Sequence, residues 1–351
     1  MKKLLLVLAV LAVMGTRSFA QRLDKERGRL AYTQLPLTPL PEDITKYWVN
    51  IDLGYIFAGD SKTETLNKIK DAATISHLEK TMDEGVELLV RLETYYKSEV
   101  VFSTVEKKEK RDDKEVNVTY YFVTFDYKYP LYFEVKLPGE MEALKSGFSN
   151  NSNNMVNYRS ADFKTSKERN DWWNANYKTL QSKLRTSLLN TNVGNLKNTL
   201  EDLYSYGKNT NYTEFVAVKK FKKFEYPDLD LALEKVKAGI AEISEDDIVF
   251  NEKFTANMEE AIVIWEKALE ESDPENKKTR INEKVTEAIY NNLALTYVLM
   301  SDFEKADETI AIAEEKLGKK AIDNYIKTFL SDRRTRFAAN EGRIPTSYPA
   351  P

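Results

Sequence analysis

The chain has 351 residues, with 52 Lys and Arg against 56 Asp and Glu, one histidine and no cysteine. Without cysteine there are no disulfides or thiolate metal sites, and the lone His77 excludes a two-histidine ligand set of the HExxH kind. The acidic balance, with only short acid-flanked basic clusters at Lys107 to Arg111 and Lys219 to Lys223, argues against a nucleic-acid partner.

The first predicted element is an export signal. Lys2 and Lys3 precede an unbroken apolar run from Leu4 to Met14, and the small-residue site Ser18-Phe19-Ala20 follows, the order of a secretory signal peptide. The run has 11 residues, short of the roughly 20 that a membrane-spanning helix needs. Residues 1–20 are therefore expected to be cleaved, leaving Gln21 at the mature N-terminus. Cleavage removes Lys2, Lys3 and Arg17 but no acid, so the mature chain has 49 basic and 56 acidic residues and a net charge of −7. No later segment reads as a bilayer span. The short Lys-Lys leader suits a bacterium, which predicts an exported protein that is periplasmic, outer-membrane-associated or secreted.

Residues 21–140 read as a β-rich α+β domain of about five strands. Pro36, Pro39 and Pro41 give an extended lead-in, and Ile44 to Phe57 is a β-like run. A helix is predicted through Leu66, Ile69, Ala73, Leu78 and Met82. Val86 to Leu92, Val100 to Val105, Val116 to Tyr129 and Leu131 to Leu137 read as strands. In Val116 to Tyr129 apolar residues occupy both alternating faces, which predicts burial on both sides. The charged Glu106 to Glu115 is expected to be a solvated hairpin loop. Residues 141–160, rich in Ser and Asn, are expected to form a linker.

Residues 161–340 read as helical. Trp173, Tyr177, Leu180, Leu184 and Leu188 form one apolar stripe, Asn192-Val193-Gly194-Asn195 is expected to break the helix, and Leu196, Leu200 and Leu203 resume it up to a C-cap at Gly207. Glu214 to Phe221 is predicted as a short strand. Pro227-Asp228 opens a helix with Asp228 as N-cap and a buried face of Leu229, Leu233, Val236, Ile240 and Ile243.

Farther on, Asn292, Leu293, Ala294, Tyr297, Asp302, Phe303, Ala306, Ile310 and Ala313 occur in helix-turn-helix order. Upstream, Ala261, Trp265, Ala268 and Pro274 suit the second helix of a preceding unit. This pattern resembles the tetratricopeptide (TPR) repeat, in which small residues sit where antiparallel helices cross and large ones fill the groove between neighbours. Ile248 to Phe254 does not read as the first helix of the earlier unit, and residues 275–284 are extra to the repeat spacing. A helix from Ala321 to Ala339 is expected to cap the array, with Arg333, Arg334 and Arg336 complementing its dipole. Residues 341–351 are expected to be a disordered tail.

The fold class predicted is thus α+β, a β-rich N-terminal domain followed by a TPR-like helical array. The resemblance implies a partner-binding groove lined by Ala288, Asn291, Leu295, Val298 and Leu299. That groove is filled either by an apolar partner or by the chain's own helices or strands. Asn292 fits one place of the carboxylate-clamping subclass, but its basic companions do not occur. Trp172, beside the Trp173 stripe, is the aromatic expected to be partly exposed, either stacking on a sugar or partner or packing on the β-rich domain.

No Gly-x-Ser-x-Gly turn, Gly-x-Gly-x-x-Gly fingerprint or phosphate loop occurs, and the acid pairs Asp246-Asp247 and Glu259-Glu260 read as solvated helix ends. No catalytic, cofactor or metal residue is expected. The function expected is a non-enzymatic scaffold or adaptor binding another envelope protein. A surface glycan binder is the first alternative and a hydrolase with its site in the β-rich domain the second.

Overall fold

The computed structural model describes residues 22–345 apart from residues 112 and 222; the leader and the end of the tail lie outside the described residues. The fold is α+β, with most strands in the N-terminal region and a helical C-terminal region. The chain divides differently from the sequence expectation. Among the described residues, one unit is Pro36–Gly207, and the other joins residues 22–35 to residues 208–345.

Among the described residues, the Pro36–Gly207 unit holds two sheets. In the first, β2 (Lys46–Leu53) lies parallel to both β3 (Glu79–Lys80) and β4 (Val86–Leu92), and β4 continues antiparallel to β8 (Leu131–Lys136) and β9 (Lys145–Phe148). Parallel neighbours require a crossover, supplied here by helix α1 (Lys62–Ala72), whose N-cap Ser61 accepts from the Glu64 amide at 3.2 Å. Helix α1 ends ten residues before the expected Met82, because Glu79 and Thr81 donate to the Thr45 and Tyr47 carbonyls as an edge strand.

In the second sheet the long β7 (Lys114–Lys128) is central. β5 (Tyr96–Lys97) and β6 (Val101–Arg111) follow one another along one edge, and β10 (Val156–Arg159) takes the other. The expected charged loop is instead strand: β6 and β7 pair up to Arg111 and Lys114. Outward-facing charge is compatible with a ladder when both faces are wet, and Lys108 pairs with Glu115 at 2.9 Å. The expected linker is also structured, containing β9 and β10. Its serines bond the sheet backbone: Ser152 Oγ meets both the amide and the carbonyl of Leu131 at 3.2 Å, and Ser160 Oγ accepts from the Val123 amide at 2.9 Å.

Helix α2 (Ser166–Tyr204) packs on β7 and β8 and belongs to this unit, not to the helical one. A capping box of Thr165 and Glu168 starts it. It runs unbroken through residues 192–195, where Leu189 and Leu196 are buried on either side and Asn192 Nδ2 donates to the Tyr129 carbonyl at 2.6 Å. Ser205, not Gly207, is its C-cap.

The other unit opens with a ribbon, β1 (Leu23–Gln34) paired with β11 (Gly207–Val218); the strand expected at Glu214 to Phe221 falls on β11, which begins earlier and ends at Val218, whereas β1 was not expected. Bonds from the Lys219 amide to the Arg22 carbonyl and from Thr213 Oγ1 to the Gly28 carbonyl set the two strands antiparallel. Among the described residues five helices follow: α3 (Pro227–Ala241), α4 (Glu252–Leu269), α5 (Glu283–Met300), α6 (Phe303–Leu317) and α7 (Asn324–Ala339). Pro227 starts α3 without a side-chain cap. Asp228 lies within the first turn and forms a two-pronged pair with Arg280 at 2.9 Å, correcting its expected capping role. Asn251, Asn282 and Asp302 cap α4, α5 and α6, and Ser301 turns the chain between α5 and α6 at φ 62°.

Contacts are most extensive between α3 and α4 and between α5 and α6, the hairpin pairs of this unit. Ala261, Ala268, Ala294, Ala306 and Ala313 are all buried in its core, the property that lets helices approach closely. Helix α5 is buried almost all round. The terminal arginines differ from expectation: Arg333 and Arg336 are buried, Arg333 over the rings of Phe250 and Phe337, and Arg336 donating to the Leu35 carbonyl at 2.8 Å.

Candidate functional site

The five groove positions implied by the repeat resemblance are brought together on α5, but all five are buried. Ala288, Leu295, Val298 and Leu299 lie in the core of their unit. Asn291 donates from Nδ2 to the Ala321 carbonyl at 2.7 Å and accepts from the Asp323 amide at 2.9 Å. The neighbouring Asn292 clasps strand β11, its Oδ1 accepting from the Val216 amide at 2.7 Å and its Nδ2 donating to the Val216 carbonyl at 3.0 Å. An amide side chain here stands in for an adjacent strand, satisfying an edge that would otherwise be open. The would-be groove is filled by the chain's own β11 and the segment before α7, and it offers no surface to a partner.

Other groups fare similarly. Trp172 is half-buried, 5.5 Å from Phe163 and 6.5 Å from Trp173 between ring centroids, so it packs against the β-rich unit. Among the described residues, no set of three or more histidine and carboxylate side chains is arranged to hold a metal ion, and no helix is long and apolar enough to cross a membrane. Burial pushes Glu287 above the usual carboxylate range, with Asp323 and Glu283 adding to the effect. Glu271 is held low by Arg280, which ties the loop before α5 to α3.

His77 lies edge-on to Tyr206 at 5.7 Å, and burial lowers its pKa from the ordinary 6.5. The unfolded chain therefore binds a proton below about pH 6.5 that the folded chain resists, and stability falls as pH drops through that value. His77→Phe is expected to flatten this part of a stability-versus-pH curve measured by urea denaturation between pH 5 and 8. An unchanged curve in the variant would show that another group sets it.

What the helical unit does offer is its outer face. On α3, Leu231 and Lys235 stand one turn apart; on α4, Ala256, Glu260, Val263 and Ile264 follow at offsets of four, seven and eight residues. Such spacing makes a single stripe. Together with Glu259 these residues line an open groove of about 520 Å3. Val263 is 63% exposed and Leu231 45% exposed, while Lys235 and Glu260 pair across the groove at 2.5 Å. The opposite stripe of α4, with Phe254, Met258, Ala261, Ile262, Trp265 and Ala268, is buried. The sequence carried a signal for this face in the run Ile262-Val263-Ile264, where Ile262 and Trp265 turn inward and Val263 must point out.

Comparison with known proteins finds no family model that matches this chain and no curated protein that matches it.

Proposed function

We propose that this chain is an exported, non-enzymatic adaptor of TPR-like build that holds an amphipathic helix of a bacterial envelope protein on the outer face of the α3–α4 hairpin. The observation that supports this reading is the apolar stripe of Leu231, Ala256, Val263 and Ile264, exposed between two antiparallel helices. A groove of that form accepts the ridge of a third helix, and helical arrays leave such a face open until a neighbour covers it. Lys235 and Glu260 neutralise one another on the rim, so Glu259 and the acidic mature chain favour a partner helix with basic flanks. The buried alanines at the α3–α4 and α5–α6 contacts support the repeat-like build.

The test is a photo-crosslinking amino acid at position 256, used in the host's envelope fraction. The expected result is one envelope protein crosslinked by the parent chain and reduced about tenfold or more with Val263→Asp, since a charge buried in an apolar contact is strongly disfavoured. Val263 is exposed, so the variant keeps the parent's melting temperature. A crosslink insensitive to Val263→Asp, or none to any envelope protein, would remove the adaptor reading.

A further inference from the structure

A second site lies in the Pro36–Gly207 unit, where three distant segments meet in a cleft of about 470 Å3, within the roughly 300–1,000 Å3 of ligand pockets. The loop after β2 contributes Tyr55 and Phe57, the segment between β4 and β5 contributes Tyr95, and α2 contributes Tyr177, Gln181 and Arg185 at offsets of four and eight residues. Lys97 and Lys178 complete the charged part of its lining.

The rings are fixed. Tyr55 stands perpendicular to Phe57 at 4.8 Å, and Phe57 perpendicular to Tyr95 at 5.9 Å. Arg185 lies over Phe57 at 4.5 Å and forks onto Asp60 at 2.7 and 3.1 Å. This pair holds the loop to the helix and consumes the arginine's charge. Tyr55 itself is 61% exposed, a large ring held open by its neighbours.

Two features distinguish this cleft from an ordinary surface hollow. The first is an idle donor. Gln181 is 7% exposed, its Oε1 accepts from the Tyr95 hydroxyl at 3.0 Å, and its Nε2 has no partner. A buried donor left unmade is costly, and the missing partner is an acceptor. The second is the sign of the charge. No acid lines the cleft, and among the described residues neither Lys97 nor Lys178 is paired with a carboxylate. In a mature chain of net charge −7 this is a local reversal.

We propose that the cleft binds a carboxylate-bearing sugar of an acidic polysaccharide. The pyranose ring lies on the open face of Tyr55, Lys97 and Lys178 take the carboxylate, and a turn of the buried Gln181 amide brings Nε2 to a hydroxyl oxygen. The electron-rich face of an aromatic ring attracts the polarised C–H edge of a sugar, and ammonium groups form charge-assisted bonds to carboxylate. A phosphate site would use an arginine fork, and here the fork is occupied by Asp60. The inference is independent of the adaptor reading, because it concerns the other unit of the chain.

Calorimetric titration of the mature chain tests it, with tetramers of galacturonate, mannuronate and glucuronate as probes and their carboxyl-reduced counterparts as controls. At least one acidic tetramer is expected to bind, with its reduced counterpart weaker by about tenfold or more. Tyr55→Ala and Lys178→Glu are each expected to weaken the acidic tetramer by about tenfold. Both side chains are exposed, so melting temperatures stay at the parent value. The proposal is overturned if no acidic tetramer binds, if acidic and reduced forms bind alike, or if affinity survives both substitutions. Displacement of the sugar by equimolar inorganic phosphate would equally overturn it, marking a simple anion site.

Discussion

Trp265→Ala is expected to lower the stability of the helical unit by about 3–5 kcal/mol, the range for emptying a buried aromatic site. Trp265 is fully buried on α4, and Phe215 of β11 lies almost parallel to it, with ring centroids 6.4 Å apart and an interplanar angle of 14°. The indole thus occupies the seam where the β1–β11 ribbon meets the helices. Ala261 and Ala268, one turn to either side on the same buried stripe of α4, have side chains too short to collapse into the space. Urea unfolding followed by far-UV circular dichroism measures the loss. Phe215→Ala, alone and combined with Trp265→Ala, completes a cycle whose coupling should be about 0.5–1.5 kcal/mol beyond simple area burial. A loss under about 1 kcal/mol for Trp265→Ala would mean that the ring does not sit in that seam.

The same residue shows where the sequence was legible. Ala261, Trp265 and Ala268 stand at helical spacing, and the alanine-rich run from Asn292 to Ala313 announced two packed helices, because a 3.6-residue period is a local property that the chain displays in order. Strand β1 was not legible. Its sequence, LDKERGRLAYTQ, carries five charges, and only Leu30, Tyr32 and Thr33 are buried; it is a strand because β11 pairs with it from almost 200 residues away. The groove positions failed for a related reason. Repeat arithmetic correctly put Ala288, Asn291, Leu295, Val298 and Leu299 on one helix, but the β11 backbone clasped by Asn292 is a tertiary event that no local pattern encodes. Serines 152 and 160 looked like linker residues, and their hydroxyls bond sheet backbone. The aromatic cleft draws Tyr55, Tyr95 and Tyr177 from three separate segments, so no local pattern brings its rings together.

The β2–α1–β4 crossover turns on Gly85, and Gly85→Ala is expected to destabilise the Pro36–Gly207 unit by about 3 kcal/mol or more, the range for a strained backbone combined with overpacking. Gly85 precedes β4 with φ +90°, where an L side chain is strained. A Cβ built there would stand 2.0 Å from the Lys46 carbonyl oxygen and 2.3 Å from its carbon, so it could be accommodated only by parting β2 from β4 where their pairing begins, at Tyr47 and Val86. The turn leading into Gly85 has little freedom to yield: Thr81 Oγ1 donates to the Glu84 carbonyl at 2.7 Å and accepts from the Glu84 amide at 3.1 Å, and Lys46 pairs with Glu84 at 2.7 Å. Gly59 supplies the control, since its φ is +95° but nothing lies within 4 Å of an added Cβ. Gly59→Ala should therefore cost only the backbone term, roughly 1 kcal/mol, and the difference between the two urea midpoints isolates the collision with Lys46. Equal losses at the two positions would contradict the parallel approach of β2 to β4, and with it the placement of Tyr55 and Phe57 beside Tyr95.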